Sequence, residues 1–306
     1  MTPQTGILPE ASGQALFLTL DIESGESALR QVRALLAATP TLTARLSARY
    51  PDARLWSVAA IGGGVWDELT ALPRPAQLAG FRPRVDGRRK APATPADLLL
   101  HIRSERRDLN FQLARDLLEL AGDAVRIREE VPAFRYFDAR DMTGFVDGTE
   151  NPELDERPDV ALVGDEDTAA AGGSYVLLQR YVHDLARWGQ LSEQQQEQVF
   201  GRTKQSDEEL PDDVKPETAH ISRVVIEEDG EELEILRQSL PYGDSSRAGL
   251  MFIAYSRRLD IFDQMLDRMF DAAGEGVHDH LMDFTRAETG AYFFAPAIET
   301  LQGLTG

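Results

Sequence analysis

The sequence predicts an α+β fold made of two tandem copies of a β-α-β-β-α-β unit with antiparallel sheets. Three observations carry this expectation. Apolar runs of strand length alternate with amphipathic helical segments in the same order in both halves of the chain. The stretch His101-Ile-Arg-Ser-Glu-Arg-Arg-Asp-Leu109 aligns without gaps on Ile253-Ala-Tyr-Ser-Arg-Arg-Leu-Asp-Ile261, half a chain later. The chain has 306 residues, 42% of them hydrophobic, which is enough for two domains with a sizeable core.

Ala15 to Ile22 reads as the first strand, an apolar run behind a Gly-rich approach. Glu26 to Ala38 reads as a helix, with leucines and Val32 at helical spacing. Leu55 to Ile61 is strand, and Gly62-Gly63-Gly64 turns into a short helix carrying Trp66 and Leu69. Asp97 to Ser104 is strand, Asp108 caps a helix to Leu120, and Val125 to Phe137 is strand. The second half replays the order. Ser174 to Tyr181 is strand, Ser192 to Phe200 helix, Ile221 to Glu227 strand, and Leu233 to Arg237 strand. Gly249 to Ser256 is strand, and Asp260 caps a helix to Phe270. Gly144 to Gly173 and Thr203 to Thr218 are irregular, and segments of that length inside a compact chain are linkers or functional loops.

Charge and composition exclude several classes. There are 32 Lys and Arg against 52 Asp and Glu, a formal net charge of −20, which repels nucleic-acid phosphates and anionic lipid. No cysteine is present, so disulfides, thiol nucleophiles, thiolate-ligated haem and iron–sulfur clusters are ruled out. The first residues lack the pattern of a signal peptide and no run approaches a membrane span, so a soluble, cytoplasmic protein is expected. Neither a nucleophile elbow nor a Walker loop occurs, and the triple glycine lacks dinucleotide-binding spacing.

Four groups of residues could carry chemistry. Asp147 stands between Val146 and Gly148 in a Gly-bounded turn, where it is either a desolvated acid–base group or a cap of its own turn. His220 precedes an apolar segment and could point one nitrogen into a cavity, while His101 reads as a core residue and His183 as structural. Arg237 shares an alternating face with Leu233 and Ile235, so it meets an anion or ligand there or snorkels at the strand end. His278, Asp279, His280 and Asp283 form a small nitrogen/oxygen set with weak metal-site spacing, the basis of a rival reading as a metal-dependent hydrolase.

Taken together, Gly144-Phe-Val-Asp-Gly-Thr-Glu-Asn-Pro152, Lys215-Pro216 with His220, and Arg237-Gln-Ser-Leu-Pro-Tyr-Gly243 resemble the dye-decolorizing peroxidase family, B-type. Gly201 to Lys204 and Leu281-Met-Asp-Phe-Thr285 fit as well, and the likeness runs from Ala15 to Pro296. The resemblance implies two ferredoxin-like halves, 1–143 and 174–306, joined by a functional loop, 144–173, with the haem pocket mainly in the second half. It implies one haem b per chain, with His220 as proximal iron ligand and Asp283 hydrogen-bonded to it. Asp147 and Arg237 fall on the distal side, and Arg202 matches a residue that contacts a haem propionate. Gly148, Thr149 and Glu150 are counted with the haem-binding residues, as is Ser239, which alternation from Arg237 places on the distal face.

The implied activity is reduction of hydrogen peroxide and one-electron oxidation of dyes, phenolics or similar donors through a ferryl porphyrin-radical intermediate. The rival implication is a haem-binding or iron-releasing protein without peroxidase turnover. Trp188, Tyr175, Tyr242 and Tyr255 are possible electron relays, with packing the favoured role. A homo-oligomer is expected, and an encapsulin shell is not, because the tail after Pro296 is short.

Overall fold

A computed structural model describes residues 1–305. The first half runs β1 (Gln14–Ile22), α1 (Glu26–Arg49), β2 (Trp56–Gly62), α2 (Trp66–Leu69), the hairpin β3 (Arg84–Asp86) and β4 (Arg89–Ala91), β5 (Leu98–Ser104), α3 (Arg107–Ala121) and β6 (Val125–Phe134). A loop containing α4 (Arg157–Ala161) leads to β7 (Ser174–His183), α5 (Leu185–Trp188), α6 (Glu193–Phe200) and α7 (His220–Val224). The small hairpin β8 (Glu227–Glu228) and β9 (Glu231–Glu232) precedes β10 (Leu236–Arg237), β11 (Leu240–Gly243), β12 (Ala248–Ser256) and α8 (Leu259–Met269). The chain finishes with β13 (Thr285–Ala287), β14 (Ala291–Ala295) and α9 (Ile298–Gln302). Among the described residues no helix is long and apolar enough to cross a membrane.

Apart from the β3–β4 and β8–β9 hairpins, the strands form one antiparallel sheet in the order β10-β12-β7-β14-β2-β5-β1-β6, with β11 continuing the line of β10 along β12 and β13 pairing with the end of β7. Each half contributes the same internal order, fourth strand beside first, then third, then second. The halves join where β14 pairs with β2, Phe293 opposite Gly62 and Phe294 opposite Ile61. At the far side β6 comes round to lie against β11, where Arg180 Nε reaches Glu129 at 2.6 Å and Nη1 reaches the Tyr242 hydroxyl. The sheet is therefore curled. Its inner face packs Phe17, Val58, Leu99, Val131, Val176, Ile253 and Phe293 from both halves. Its outer face packs against the helices through Val32, Leu35, Leu113, Leu117, Phe262 and Leu266.

The repeated letters correspond to repeated bonds. At the end of β5 the Ser104 hydroxyl accepts from the Arg106 N–H at 3.0 Å, and Arg106 pairs with Asp108. At the end of β12 Ser256 accepts from the Arg258 N–H at 3.1 Å, and Arg258 pairs with Asp260. Asp108 and Asp260 therefore sit in the first turns of α3 and α8 rather than capping them. Their charge still complements the helix dipole.

Three elements depart from the sequence expectation, the first being the strand expected from Leu233, of which only Leu236–Arg237 is laddered. Helix α1 runs past Pro40 to Arg49, because Thr39 and Thr43 extend its buried face and their hydroxyls bond back to the Leu35 and Thr39 carbonyls. The expected strand from Ile221 is instead the single-turn helix α7. Its β-branched residues mimic a strand, but helical spacing sends Ile221 and Val224 to the same cavity.

Candidate active site

A large cavity lies between the outer face of the second half's sheet and helices α7 and α8, with about 1440 Å³ of empty space counting its open mouth. All of its lining comes from residue 141 onward. Period-two alternation on β7 points Leu177, Gln179, Tyr181 and His183 into it, and α8 supplies Phe262, Met265, Leu266 and Met269. The lining is predominantly apolar with a few polar groups, the usual character of a cofactor pocket.

One pole is His220, the first residue of α7. Its Nδ1 lies 2.6 Å from Asp279 Oδ2, and Asp279 is fully buried. Asp279 opens the 3₁₀ turn His280–Asp283, and its other oxygen, Oδ1, accepts the Leu281 N–H at 2.8 Å. Both carboxylate oxygens are thus fixed, and Nε2 of His220 has no hydrogen-bond partner among the described residues. The expected partner of His220, Asp283, is elsewhere. It pairs with Arg89 at 2.9 Å and with His278 at 3.3 Å. Residues 279 and 283 flank the turn, so only the first faces α7. Burial works against the charge on Asp283, but His278 and Arg89 hold its carboxyl below the usual range. Arg89 also opposes reading His278, His280 and Asp283 as a metal site, because it occupies Asp283 Oδ1.

The other pole is Asp147 with Arg237. Arg237 Nη1 stands 3.9 Å from Asp147 Oδ1, close enough to interact as charges and too far for a direct hydrogen bond. Burial pushes the Asp147 carboxyl up, with the charge of nearby Asp141 adding and Arg237 opposing. The loop that carries Asp147 needs its glycines. Gly148 has φ +92°, and Gly144 has φ +93° with Lys204 packed where a Cβ would stand. The same loop clamps the opposing strand. Asn151 donates from Nδ2 to the Arg237 carbonyl at 2.9 Å and accepts the Arg237 N–H on Oδ1 at 2.8 Å. A side chain thus takes the place of a neighbouring strand and fixes the register of Arg237 against Asp147.

The chain matches the family description "Dyp-type peroxidase, N-terminal" over residues 4–135 and "Dyp-type peroxidase, C-terminal" over residues 138–300. The chain belongs to the Dyp-type peroxidase family. A dye-decolorizing peroxidase from Mycolicibacterium paratuberculosis is 44% identical, covering 96% of this chain and 84% of that protein. A Dyp-type peroxidase structure from Shewanella oneidensis superposes with a TM-score of 0.95 at 40% identity, covering 99% of this chain and 98% of that one. A variant of DypB from Rhodococcus jostii RHA1, in complex with heme, superposes with a TM-score of 0.95 at 38% identity, covering 100% of this chain and 99% of that one.

The remaining expected residues of this Dyp-type chain divide. Gly148, Thr149, Glu150 and Arg202 all line the cavity. Arg202 is held at the rim by Asp207, whose carboxylate it meets at 2.9 Å, and it also pairs with Glu150. Ser239 does not reach the cavity. Its register is unbroken, opposite Phe252 on the Arg237 side of the strand as alternation expects, but its hydroxyl turns back to the backbone and accepts the Ile253 N–H at 3.2 Å. Trp188, Tyr175, Tyr242 and Tyr255 are all buried in cores, Tyr255 hydrogen-bonded to His101 at 2.8 Å. His101 is a core residue, stacked on Phe17.

Sequence reasoning passed over three participants. Asp279 was legible only as the acid between two histidines, and Asn151 only as part of a loop motif. The third is Asp141, which accepts from His183 at 3.0 Å with both side chains nearly buried. Burial works against its charge, yet His183 and the Thr143 hydroxyl and N–H bring the carboxyl below the ordinary range.

Proposed function

We propose that the chain is a haem b peroxidase, with His220 as the axial ligand, Asp279 as its orienting carboxylate, and Asp147 and Arg237 as the groups that handle peroxide. The observation that carries the reading is the His220–Asp279 pair, which leaves one imidazole nitrogen free at an apolar cavity whose other pole is a carboxylate–guanidinium pair. The residues present fit an iron porphyrin. A neutral imidazole is a ligand that a cysteine-free chain can offer, apolar side chains suit a flat macrocycle, and Arg202 at the rim suits its carboxylates.

When bound, the haem supplies an iron centre that accepts the oxidising equivalents of peroxide. The chain does the rest. Asp279 fixes the tautomer and ring plane of His220. Asp147 in its charged form takes a proton from incoming hydrogen peroxide on a carboxylate oxygen and returns it to the oxygen that leaves as water. Its raised proton affinity suits both transfers. Arg237 offers a fixed positive charge to the anion that develops as the bond between the oxygens breaks. Asn151 keeps that charge in register. Arg202, now paired with the exposed Glu150, would hold a carboxylate of the haem.

We take 1–143, 144–173 and 174–306 as the two ferredoxin-like halves and their connecting loop. A homo-oligomer in the cytoplasm is proposed on the family resemblance alone. The test is an absorption spectrum of the haem-loaded protein before and after one equivalent of peroxide, repeated with His220→Ala. A rapid change that disappears in the variant supports the reading. Full haem loading with no response to peroxide would favour haem binding without turnover.

A further inference from the structure

A second cavity opens on the opposite side of the wall formed by the ends of β7 and β13, with about 980 Å³ of empty space counting its mouth. It lies between the β3–β4 hairpin of the first half and the second half. Its rim carries Arg88, Arg89, Lys90, Arg187 and Arg286 against only two carboxylates, Asp184 and Asp283. In a chain of net charge −20 this concentration of cations stands out from its surroundings.

Those charges are unequally committed. Arg89 is paired with Asp86 and Asp283, and Arg286 with Glu288. Arg187 donates to the Asp283 carbonyl at 2.7 Å and lies over the Phe284 ring. Arg88 and Lys90, both exposed on the hairpin, form no ion pair among the described residues. The floor is apolar, with Phe270 and Met282 buried and Phe284 half-buried. A cationic rim over an aromatic and thioether floor suits a flat ring bearing carboxylate or sulfonate groups.

Its position gives the cleft a purpose. His183, Thr285 and Met282 line both this cleft and the cavity that holds His220, so one layer of side chains separates the two spaces. We propose that the basic cleft is the docking site for the reducing substrate, an aromatic carboxylate or sulfonate that gives up its electron through the His183–Thr285–Met282 wall. The inference rests on the peroxidase reading for its redox half. Two donor molecules each lose one electron, and a phenolic donor its hydroxyl proton. The two electrons with two protons reduce one hydrogen peroxide to two waters.

The test uses the haem-loaded protein and ABTS, a disulfonated aromatic donor. Without peroxide, calorimetric titration is expected to show binding that weakens with salt and falls about tenfold in Arg88→Glu/Lys90→Glu. With peroxide, kcat/KM for ABTS falls by a similar factor while that for uncharged hydroquinone is unchanged. The milder Arg88→Gln/Lys90→Gln gives a smaller loss in the same direction and guards against misfolding. Unchanged binding in both variants would overturn the proposal, as would lost binding with undiminished ABTS turnover. Wild-type protein that oxidises neither donor would refute the peroxidase reading instead, and the calorimetry would still decide whether the cleft binds the anion.

Discussion

Replacing Asp279 by Asn tests how the protein controls His220. The carboxylate accepts two hydrogen bonds on separate oxygens, from His220 Nδ1 at 2.6 Å and from the Leu281 N–H at 2.8 Å. An amide has one oxygen and one N–H₂ group, so either the imidazole or the Leu281 N–H meets a donor. The site is fully buried, and water cannot repair the loss. An unsatisfied buried donor costs about 1–3 kcal/mol, so the unfolding free energy of the haem-free variant falls by that amount. Loss of a partner to a metal-binding histidine lowers affinity by about 10- to 100-fold, which haem titration followed in the Soret band would measure.

The charge has its own signature. A hydrogen bond to a charged group contributes roughly 1.5–3 kcal/mol and a neutral one 0.5–1.5, a difference of about 1–1.5 kcal/mol. If all of it favours the oxidised iron, the one-electron potential rises by up to about 60 mV, since a tenfold change in equilibrium is 59 mV. Spectroelectrochemical titration of wild type and variant reads it directly. An unchanged or more negative potential, in a variant that still loads haem, would refute the assignment of Asp279.

Other outcomes follow from the distal side and its supports. Arg237→Ala is expected to slow the reaction with peroxide more than Asp147→Ala in stopped-flow mixing, and equal or reversed rates would defeat that ranking. Because Asp147 is pushed up by burial, it protonates, and stops accepting a proton, at a pH above the ordinary carboxylate value of about 4. The acid limb of kcat/KM for peroxide should reflect this and vanish in Asp147→Asn. Asn151→Ala removes two backbone hydrogen bonds to Arg237, about 1–3 kcal/mol, and should lower the peroxide rate while leaving haem affinity intact. His183→Ala leaves the buried Asp141 carboxylate with only its Thr143 bonds and should destabilise the fold by about 1.5–3 kcal/mol in urea unfolding near neutral pH. Asp141 has a lowered folded-state pKa, so its contribution is present above the unfolded value and lost as pH falls through the folded one. The deficit of His183→Ala should therefore narrow below roughly pH 4.

Strands with period-two or continuous apolar patterns were legible from the sequence, and so was the duplication, because Ser104 and Ser256 build the same turn. Residues whose role depends on a neighbour distant in the chain were not. Asp279 and Asp283 have the same chemistry and similar distance along the chain from His220, and only the direction of the 3₁₀ turn separates them. Alternation put Ser239 on the Arg237 face, but it could not show that the short hydroxyl would bond the neighbouring Ile253 N–H instead of the cavity. The run beginning Ile221-Ser-Arg-Val-Val225 satisfies strand propensity, yet tertiary packing makes it a helical turn. The cavity was foreshadowed by its poles, Asp147, Arg237 and His220, but its apolar lining looked like ordinary core.

The curled sheet has two seams between its halves, and they are not equal. At one, β14 and β2 share a hydrogen-bonded ladder; at its counterpart, β6 faces β11 through side chains such as Arg180 and Glu129. A head-to-tail repeat of this kind would add units without limit if its ends stayed open. Here the ends meet after two units, which blunts the exposed strand edge that would otherwise recruit another chain. The unladdered seam is also where the ring is weakest. Backbone amides on the outer edge of β6 should exchange with solvent sooner than those of β2, marking the place from which the ring opens when the protein unfolds.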